Sequence, residues 1–590
     1  MAMLARRAWV GLTLVTIAAS GCGDSTSPNA GPECGSAAVV TLAVNQATTR
    51  ACGTGTLITL SGGAKYLIVP QFASGGLTSG IANTLVPYVL GAPSSVARTV
   101  AATSFPLFAE PAPRTRQQQL DSALRARATR AASGSAWLVA MTLRSAASSH
   151  SLAPAVPDLG SVRDFRVLVG ANISTQTTGS ATARLSYVGA NVLLYIDTLA
   201  PKNGFTPAQL QSFGQYFDGT LYSIVVSAFG PPSDVDGNGH VIVLLSPAVN
   251  ALSRSATCST EGYVAGYFSG SDLGSTGSGS NHGEIFYTLV PDPVGTVSCA
   301  HTVTNLLSTV PATFLHELQH LVSFSQHVVI AGGAPEEGWL DEGLSIRAEE
   351  LGSEYYEAKY PAPTGRASPT QLFPDSSQGF IQGLLSDSYS YLLKSDTASL
   401  TLHSDADGGF SWRGGDWLLA HWLGDLKGKK FFTALEQSKL TGLPNVAAAA
   451  GESFQSLFGD FSLSVWTDSI VGVSRGAVPT RDRFQTRNLR QMYQRVFLTN
   501  NTAPREFPVL PVALSATGSI AASMYPGTAA YYILDLTAAP GDVTIQFASP
   551  GGGGFSAKLN SQVSIYRLPD ATTAASAAAS WKGANASRYY

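Results

Sequence analysis

The chain has 590 residues, 44% of them hydrophobic and only 13% charged, with 59 glycines and a formal net charge of −3. That charged fraction is about half the roughly 25% of an ordinary domain, which argues against a nucleic-acid partner, and the apolar fraction excludes wholesale disorder. The length fits several domains. The acidic residues are unevenly spread: of 15 glutamates, eight fall between Glu317 and Glu357.

From the N-terminus, Arg6 and Arg7 precede an apolar run, Ala8 to Ala19, too short for the roughly 20 residues that span a bilayer. Ala19-Ser20-Gly21-Cys22 resembles a bacterial lipobox, with Ala19 where leucine is usual. The resemblance implies a lipoprotein signal peptide over 1–22, lipidation at Cys22, and an exported chain anchored in the cell envelope. An ordinary secretory signal is the alternative. Residues 23–33 read as a polar tether. Five cysteines leave one over, which Cys22 accounts for; Cys34, Cys52, Cys258 and Cys299 then suggest two disulfides in an oxidising compartment. Cys34 with Cys52 and Cys258 with Cys299 are nearest in sequence, with the connectivity open.

Short β-rich runs (AVVTLAV, KYLIVPQF) predict an N-terminal antiparallel β-domain over 34–110. Residues 111–160 turn basic and Ala/Gln-rich, which predicts an exposed helix and linker with a solvated charged face. The largest unit, 161–490, holds strands such as NVLLYID, a helix from Pro207 to Phe229, and helical patterns over 310–357, 412–439 and 452–472. Within it Asp234, Asp236 and Asn238 are spaced like the first ligands of a calcium loop, but Leu245 stands where the closing glutamate belongs. The preferred reading is an Asp-Gly/Asn-Gly turn feeding the strand HVIVLL, with Ca2+ as the alternative. From 491 to 590 the runs AAYYILDL, DVTIQFA and QVSIYRL predict a C-terminal β-sandwich-like domain. The fold class is therefore multidomain α+β.

His316-Glu317-Leu318-Gln319-His320 is an HExxH sequence, which this composition produces by chance only about 0.003 times. On a helix, positions i and i+4 share a face, so both imidazoles can meet one zinc ion, with Glu317 beside them as general base. A third ligand must come from elsewhere. His327 lies about 10 Å further along a continuous helix at 1.5 Å per residue, out of reach. Trp339-Leu340-Asp341-Glu342-Gly343 resembles the WLNEG motif of glutamate-liganded zincins, which implies Glu342 as third ligand. Glu336 and Glu337, in the loop before it, are the other candidates. Glu349 shares the face of Glu342 and can orient a ligating imidazole. Glu350, Glu354 and Glu357 read as solvated helix positions.

HELQHLVSF followed by EEGWLDEGLSIRAEEL, with FDGTLYSIVVSAFG, DVDGNGHVIVLL and SNHGEIFY upstream, is similar to the hyicolysin family of secreted bacterial zinc metallopeptidases over about 165–470. The resemblance implies a zincin-like metallopeptidase domain, a mixed sheet plus a helical subdomain, flanked here by the two β-domains. It implies His316, His320 and Glu342 as zinc ligands, Glu317 as base and a peptide substrate. Related zincins carry a Tyr before the glycines of a motif like RGGDW, where this chain has Phe410, Ser411 and Trp412. His403 is the chosen oxyanion donor, ahead of Tyr389, Tyr391 and His421. The strand from Glu284 to Thr288 is expected as the sheet edge that aligns substrate. The alternative function is an inactive, peptidase-like surface adhesin.

Overall fold

A computed structural model describes residues 33–35, 38–75, 80–93, 97–99, 115–132, 156–274, 280–360, 378–402, 411–470, 472–500 and 503–570. Cys22, the signal segment, most of the tether and His403 lie outside these residues.

The central unit is a six-stranded mixed sheet built from β6 (Val162–Leu168), β7 (Thr178–Val188), β8 (Val192–Asp197), β9 (Val241–Leu245), β10 (Gly266–Phe268) and β11 (Ile285–Thr288). Its order is β10-β11-β9-β8-β7-β6. Strands β8, β9 and β11 pair in parallel, and β9 is buried at every position, which is why VIVLL is continuously apolar. β7 alternates buried and open residues because one face meets solvent. The expected edge at Glu284–Thr288 is corrected: β11 is internal, and β10 pairs antiparallel outside it.

Helices cover this sheet. The predicted stretch from Pro207 to Phe229 forms α2 (Pro207–Tyr216) and α3 (Tyr222–Phe229), joined by a wider helical turn. Beyond the sheet come α4 (Val303–Phe324), α5 (Gly338–Lys359), α6 (Gln378–Leu392), α7 (Ser411–Lys427), α8 (Lys430–Glu436), α9 (Gly442–Ala450), α10 (Phe454–Thr467) and α11 (Leu489–Thr499). Among the described residues no helix is long and apolar enough to cross a membrane.

The two expected β-domains are one. Strands β1 (Ala47–Ala51), β2 (Leu57–Leu60), β3 (Lys65–Phe72), β4 (Val86–Gly91) and β5 (Ala97–Thr99) interleave with β12 (Val512–Leu514), β13 (Ser519–Met524), β14 (Thr528–Ala529), β15 (Tyr532–Asp535), β16 (Val543–Ala548) and β17 (Ser561–Leu568). They make two facing sheets, β1-β17-β3-β15-β12 with β14 on β3, and β2-β16-β4-β13-β5. Separate domains would have left each half with unpaired central strands, so the correction follows from edge pairing. Strand β3 is buried throughout: Tyr66 and Ile68 enter the sandwich core, while Leu67 and Val69 join the core of the helical unit. That two-sided burial couples the sandwich to the rest of the molecule. Cys34 is bonded to Cys52 and Cys258 to Cys299, with Cα separations of 4.8 and 5.9 Å.

The basic segment also departs from expectation. Its helix α1 (Thr115–Ala132) is not a solvated rod. Leu120 and Leu124 are buried in the main core, and Arg116 donates from Nε to the Leu252 carbonyl at 2.8 Å. Arginine stems bury as readily as they solvate when a carbonyl or carboxylate awaits the head group.

Candidate metal centre

Helix α4 begins at a reciprocal cap, in which Thr302 accepts from Asn305 N and the Asn305 side chain accepts from Thr302 N. Leu315, Leu318 and Val322 bury one side of it, which turns His316 and His320 toward α5. The helix does not break at Ser323; it runs on through a wider turn over Ser325–Ile330. His327 is thereby carried into the interior, 3.6 Å from Glu436 and 3.8 Å from Glu336, away from the other two histidines.

His316, His320 and Glu342 come together, with one ligand atom from each inside a 4.8 Å span. The two Nε2 atoms are 3.1 Å apart, and they lie 3.7 and 3.8 Å from the oxygens of Glu342. A tetrahedral zinc with ligand bonds near 2.05 Å has edges of about 3.4 Å, so these three donors are spaced as such an ion requires. Each imidazole is held from behind: His316 Nδ1 lies 2.8 Å from Glu349, and His320 Nδ1 lies 3.0 Å from Asp341. A carboxylate at Nδ1 fixes the tautomer that leaves Nε2 as the free donor. Ser345 Oγ, 3.3 Å from His316 Nε2, completes the stripe of Asp341, Ser345 and Glu349 at spacing i, i+4, i+8. The helical spacing of Asp341 with Glu349 was the available signal for its role.

The charges follow from burial. Burial lowers His316 below the usual histidine range, with Glu349 opposing. For His320 burial also lowers, but Asp341, Glu342 and Glu317 outweigh it and raise the ring to about 9. Glu342 is held well below its usual range: burial opposes ionisation, and Arg413, Arg125 and the two histidines overcome it. Burial and the nearby Asp121 push Glu317 well above it. Glu317 Oε2 accepts from Phe268 N at 2.9 Å, which places the carboxylate between the ligands and the end of β10.

Arg413 is the residue that sequence reasoning missed. Its Nη2 lies 2.8 Å from Glu342 and 3.3 Å from His316 Nε2. It arrives there because Gly414 lets α7 touch α6 backbone to backbone; a Cβ at Gly414 would sit 2.2 Å from the Asp387 carbonyl carbon. Tyr389, Tyr391 and His421, the other candidates for the oxyanion role, are engaged elsewhere. Tyr389 donates to the Arg505 carbonyl at 2.5 Å, and His421 Nδ1 is 2.8 Å from Glu350. Tyr391 is buried against Gly415 in the core.

The remaining glutamates also depart from expectation. Glu336 is buried and accepts from Gly442 N at 2.6 Å and Asn445 Nδ2 at 2.8 Å, and Glu337 accepts from Trp339 Nε1 at 3.0 Å. Glu350, expected in solvent, is 0% exposed.

Helix α1 crosses this centre. Gln117 donates to the Gly266 carbonyl and accepts from Ala265 N, both at 2.9 Å, so it satisfies the open side of β10. Arg125 reaches Glu342 at 2.5 Å and Asp341 at 3.6 Å. Cavities flank the helix, one lined by Leu124, Phe268, Glu317 and His320, the other by Gln117, Thr313, His316 and Glu349.

No family model matches the chain. It is similar to the neutral metalloprotease ShpI of Staphylococcus hyicus, 29% identical over 194 residues, which are 32% of this chain and 40% of the relative. The match thus spans two-fifths of the relative's own length. This distant likeness supports a metallopeptidase.

Proposed function

We propose that the protein is an exported, lipid-anchored zinc endopeptidase that uses His316, His320 and Glu342 as ligands and Glu317 as general base. One observation carries this reading: two imidazole Nε2 atoms, each fixed by a carboxylate at Nδ1, converge 3.1 Å apart on a buried glutamate.

A zinc ion held by these side chains supplies a Lewis acid for the scissile carbonyl. The chain's own groups do the rest. Glu317, buried and raised in basicity, accepts the proton of the attacking water and passes it to the leaving amine. Ala265 N and the Gly266 carbonyl, on the outer side of β10, align an extended peptide by strand addition once Gln117 withdraws. Arg413 supplies the positive donor for the developing oxyanion, the role that the sequence assigns to His403. Export and anchoring rest on the N-terminal segment ending at Cys22.

The test is casein hydrolysis by the purified chain, with and without 1,10-phenanthroline, beside Glu317→Gln and a metal analysis. We expect stoichiometric zinc, loss of activity with chelator, and a drop of about 10²–10⁴-fold in the variant. Activity that survives both treatments sinks the reading. Zinc without any turnover favours the surface-binding alternative instead.

A further inference from the structure

A second group of oxygen donors lies where β9 and β11 begin. The loop between α3 and β9 reads Asp234-Val235-Asp236-Gly237-Asn238-Gly239, which matches the first six positions of a calcium loop. Gly239 has φ +72°, the left-handed conformation that the sixth-position glycine provides. The chain then enters β9, so Leu245, at the twelfth position, is buried in the sheet and the loop lacks its closing carboxylate.

The fold brings that carboxylate from elsewhere. Glu284 immediately precedes β11, and the parallel pairing of β11 with β9 sets it beside the loop, where its carbonyl accepts from Ile242 N at 2.7 Å. One oxygen each of Asp234, Asp236 and Glu284 falls within 4.8 Å of the others. Glu284 is 1% exposed. Its Oε1 accepts from Ser233 Oγ at 2.6 Å and Val235 N at 3.0 Å, while Oε2 has no hydrogen-bond partner among the described residues. A turn accounts for the loop residues, whose oxygens accept from Gly239 N, Asn238 N and His240 N at 3.0, 3.2 and 2.6 Å. It has no use for a buried glutamate with a bare oxygen. Burial pushes that carboxyl up to about 7, and the charges of Asp236 and Asp234 add to the shift.

We propose that Asp234, Asp236 and Glu284, with Asn238 at the loop's fifth position, bind one calcium ion. The donors are oxygens only and three are carboxylates, a hard set that suits Ca2+ and sets this site apart from the imidazole-rich one. The ion joins the loop to the start of β11. Ser233 Oγ also lies 2.9 Å from Ser325 Oγ, so the clamp reaches the extension of the helix that carries His316 and His320.

The experiment is calorimetric titration of the full chain with CaCl2 after removal of divalent ions by EGTA. Terbium emission sensitised by Tyr195 and Tyr222, which feel the fields of Asp236 and Glu284, gives a local readout. One saturable site and a raised Tm are expected, with affinity at least about tenfold weaker in Glu284→Gln and in Asp234→Asn. Asp234 is exposed, so its variant keeps the test valid where Glu284→Gln does not fold. His320→Ala is expected to retain the calcium affinity, which separates this proposal from the zinc reading. Absence of saturable binding, or wild-type affinity in both loop-site variants, overturns it.

Discussion

Helix α5 turns Asp341, Glu342 and Glu349 toward α4, and Glu350, Glu354 and Glu357 toward α7 and Arg487. Both sides combine carboxylates with histidine, and both bring three such groups within the reach of one ion. They differ in what the histidines have left to give. On the α4 side each Nδ1 is occupied by a carboxylate and the two Nε2 atoms face each other. On the α7 side both nitrogens of His421 are taken, Nδ1 by Glu350 at 2.8 Å and Nε2 by Thr486 at 3.1 Å and Asp425 at 3.3 Å. Glu350 is saturated as well, accepting from Trp417 Nε1 at 2.7 Å, Arg347 at 3.0 Å and Arg487 at 2.8 Å. Both clusters hold their own cations, Arg125 and Arg413 at Glu342 and Arg347 and Arg487 at Glu350, so what marks the α4 side as the candidate ligand set is the convergence of two imidazole Nε2 atoms on one glutamate.

Paired substitutions test that distinction most severely. Glu342→Gln is expected to lose bound zinc and measurable turnover. Glu350→Gln is expected to keep the zinc and to lose about 3–5 kcal/mol of stability, because Arg347 and Arg487 remain buried with less to face. Metal analysis and urea unfolding of both variants read the two effects. If Glu350→Gln loses its zinc at unchanged stability, the two sides of α5 are not distinct.

The sequence showed the α4 side because HExxH and WLDEG are local patterns whose geometry is the helix itself. It did not show Arg413, which lies 71 residues beyond Glu342 and reaches it only through the contact at Gly414. Nor did it show Glu284 closing the aspartate loop, since that depends on parallel strand pairing. Glu350 read as solvated because helical spacing leaves i+8 from Glu342 off the ligand face; only the packing of α7 buries it. The same limit misassigned the sandwich, whose strands pair partners such as Thr49 and Ser564 from opposite ends of the chain.

The α7 side carries a pH signature. Burial alone lowers His421, but Glu350 and Asp425 outweigh both it and Arg347 and raise the ring to about 9, while Asp425 falls to about 2 with His421 as its principal partner. A raised histidine contributes stability that is complete below its unfolded value near 6.5 and is lost as pH rises through 9. The lowered Asp425 contributes stability present above about 4 and lost as pH falls through 2. Between pH 6.5 and 9 the histidine contribution amounts to at most about 3 kcal/mol. Urea unfolding across that range is expected to show a shallower decline in His421→Gln than in the wild type, with His320, also raised to about 9, supplying what remains. Equal slopes in both would place the titration elsewhere.

Helix α1 gives a smaller effect. Gln117→Ala removes two hydrogen bonds to β10 without touching a ligand residue. Bonds of this kind contribute about 1 kcal/mol each, so kcat/KM on a peptide is expected to rise on the order of tenfold as α1 yields the strand edge. An unchanged or lower value means that α1 does not stand in the substrate's path.

The least effect belongs to the rim of the α7 side. Glu354 lies 2.8 Å from Arg347 Nη2, but its side chain is 34% exposed, and Arg347 keeps Glu350 as its buried partner. Water replaces a lost partner there, so Glu354→Gln is expected to cost no more than about 1 kcal/mol in urea unfolding, against several for Glu350→Gln. The two glutamates sit one helical turn apart on the same face and both touch Arg347. Comparable losses at both positions would mean that the network, rather than burial at Glu350, sets the energy of that face.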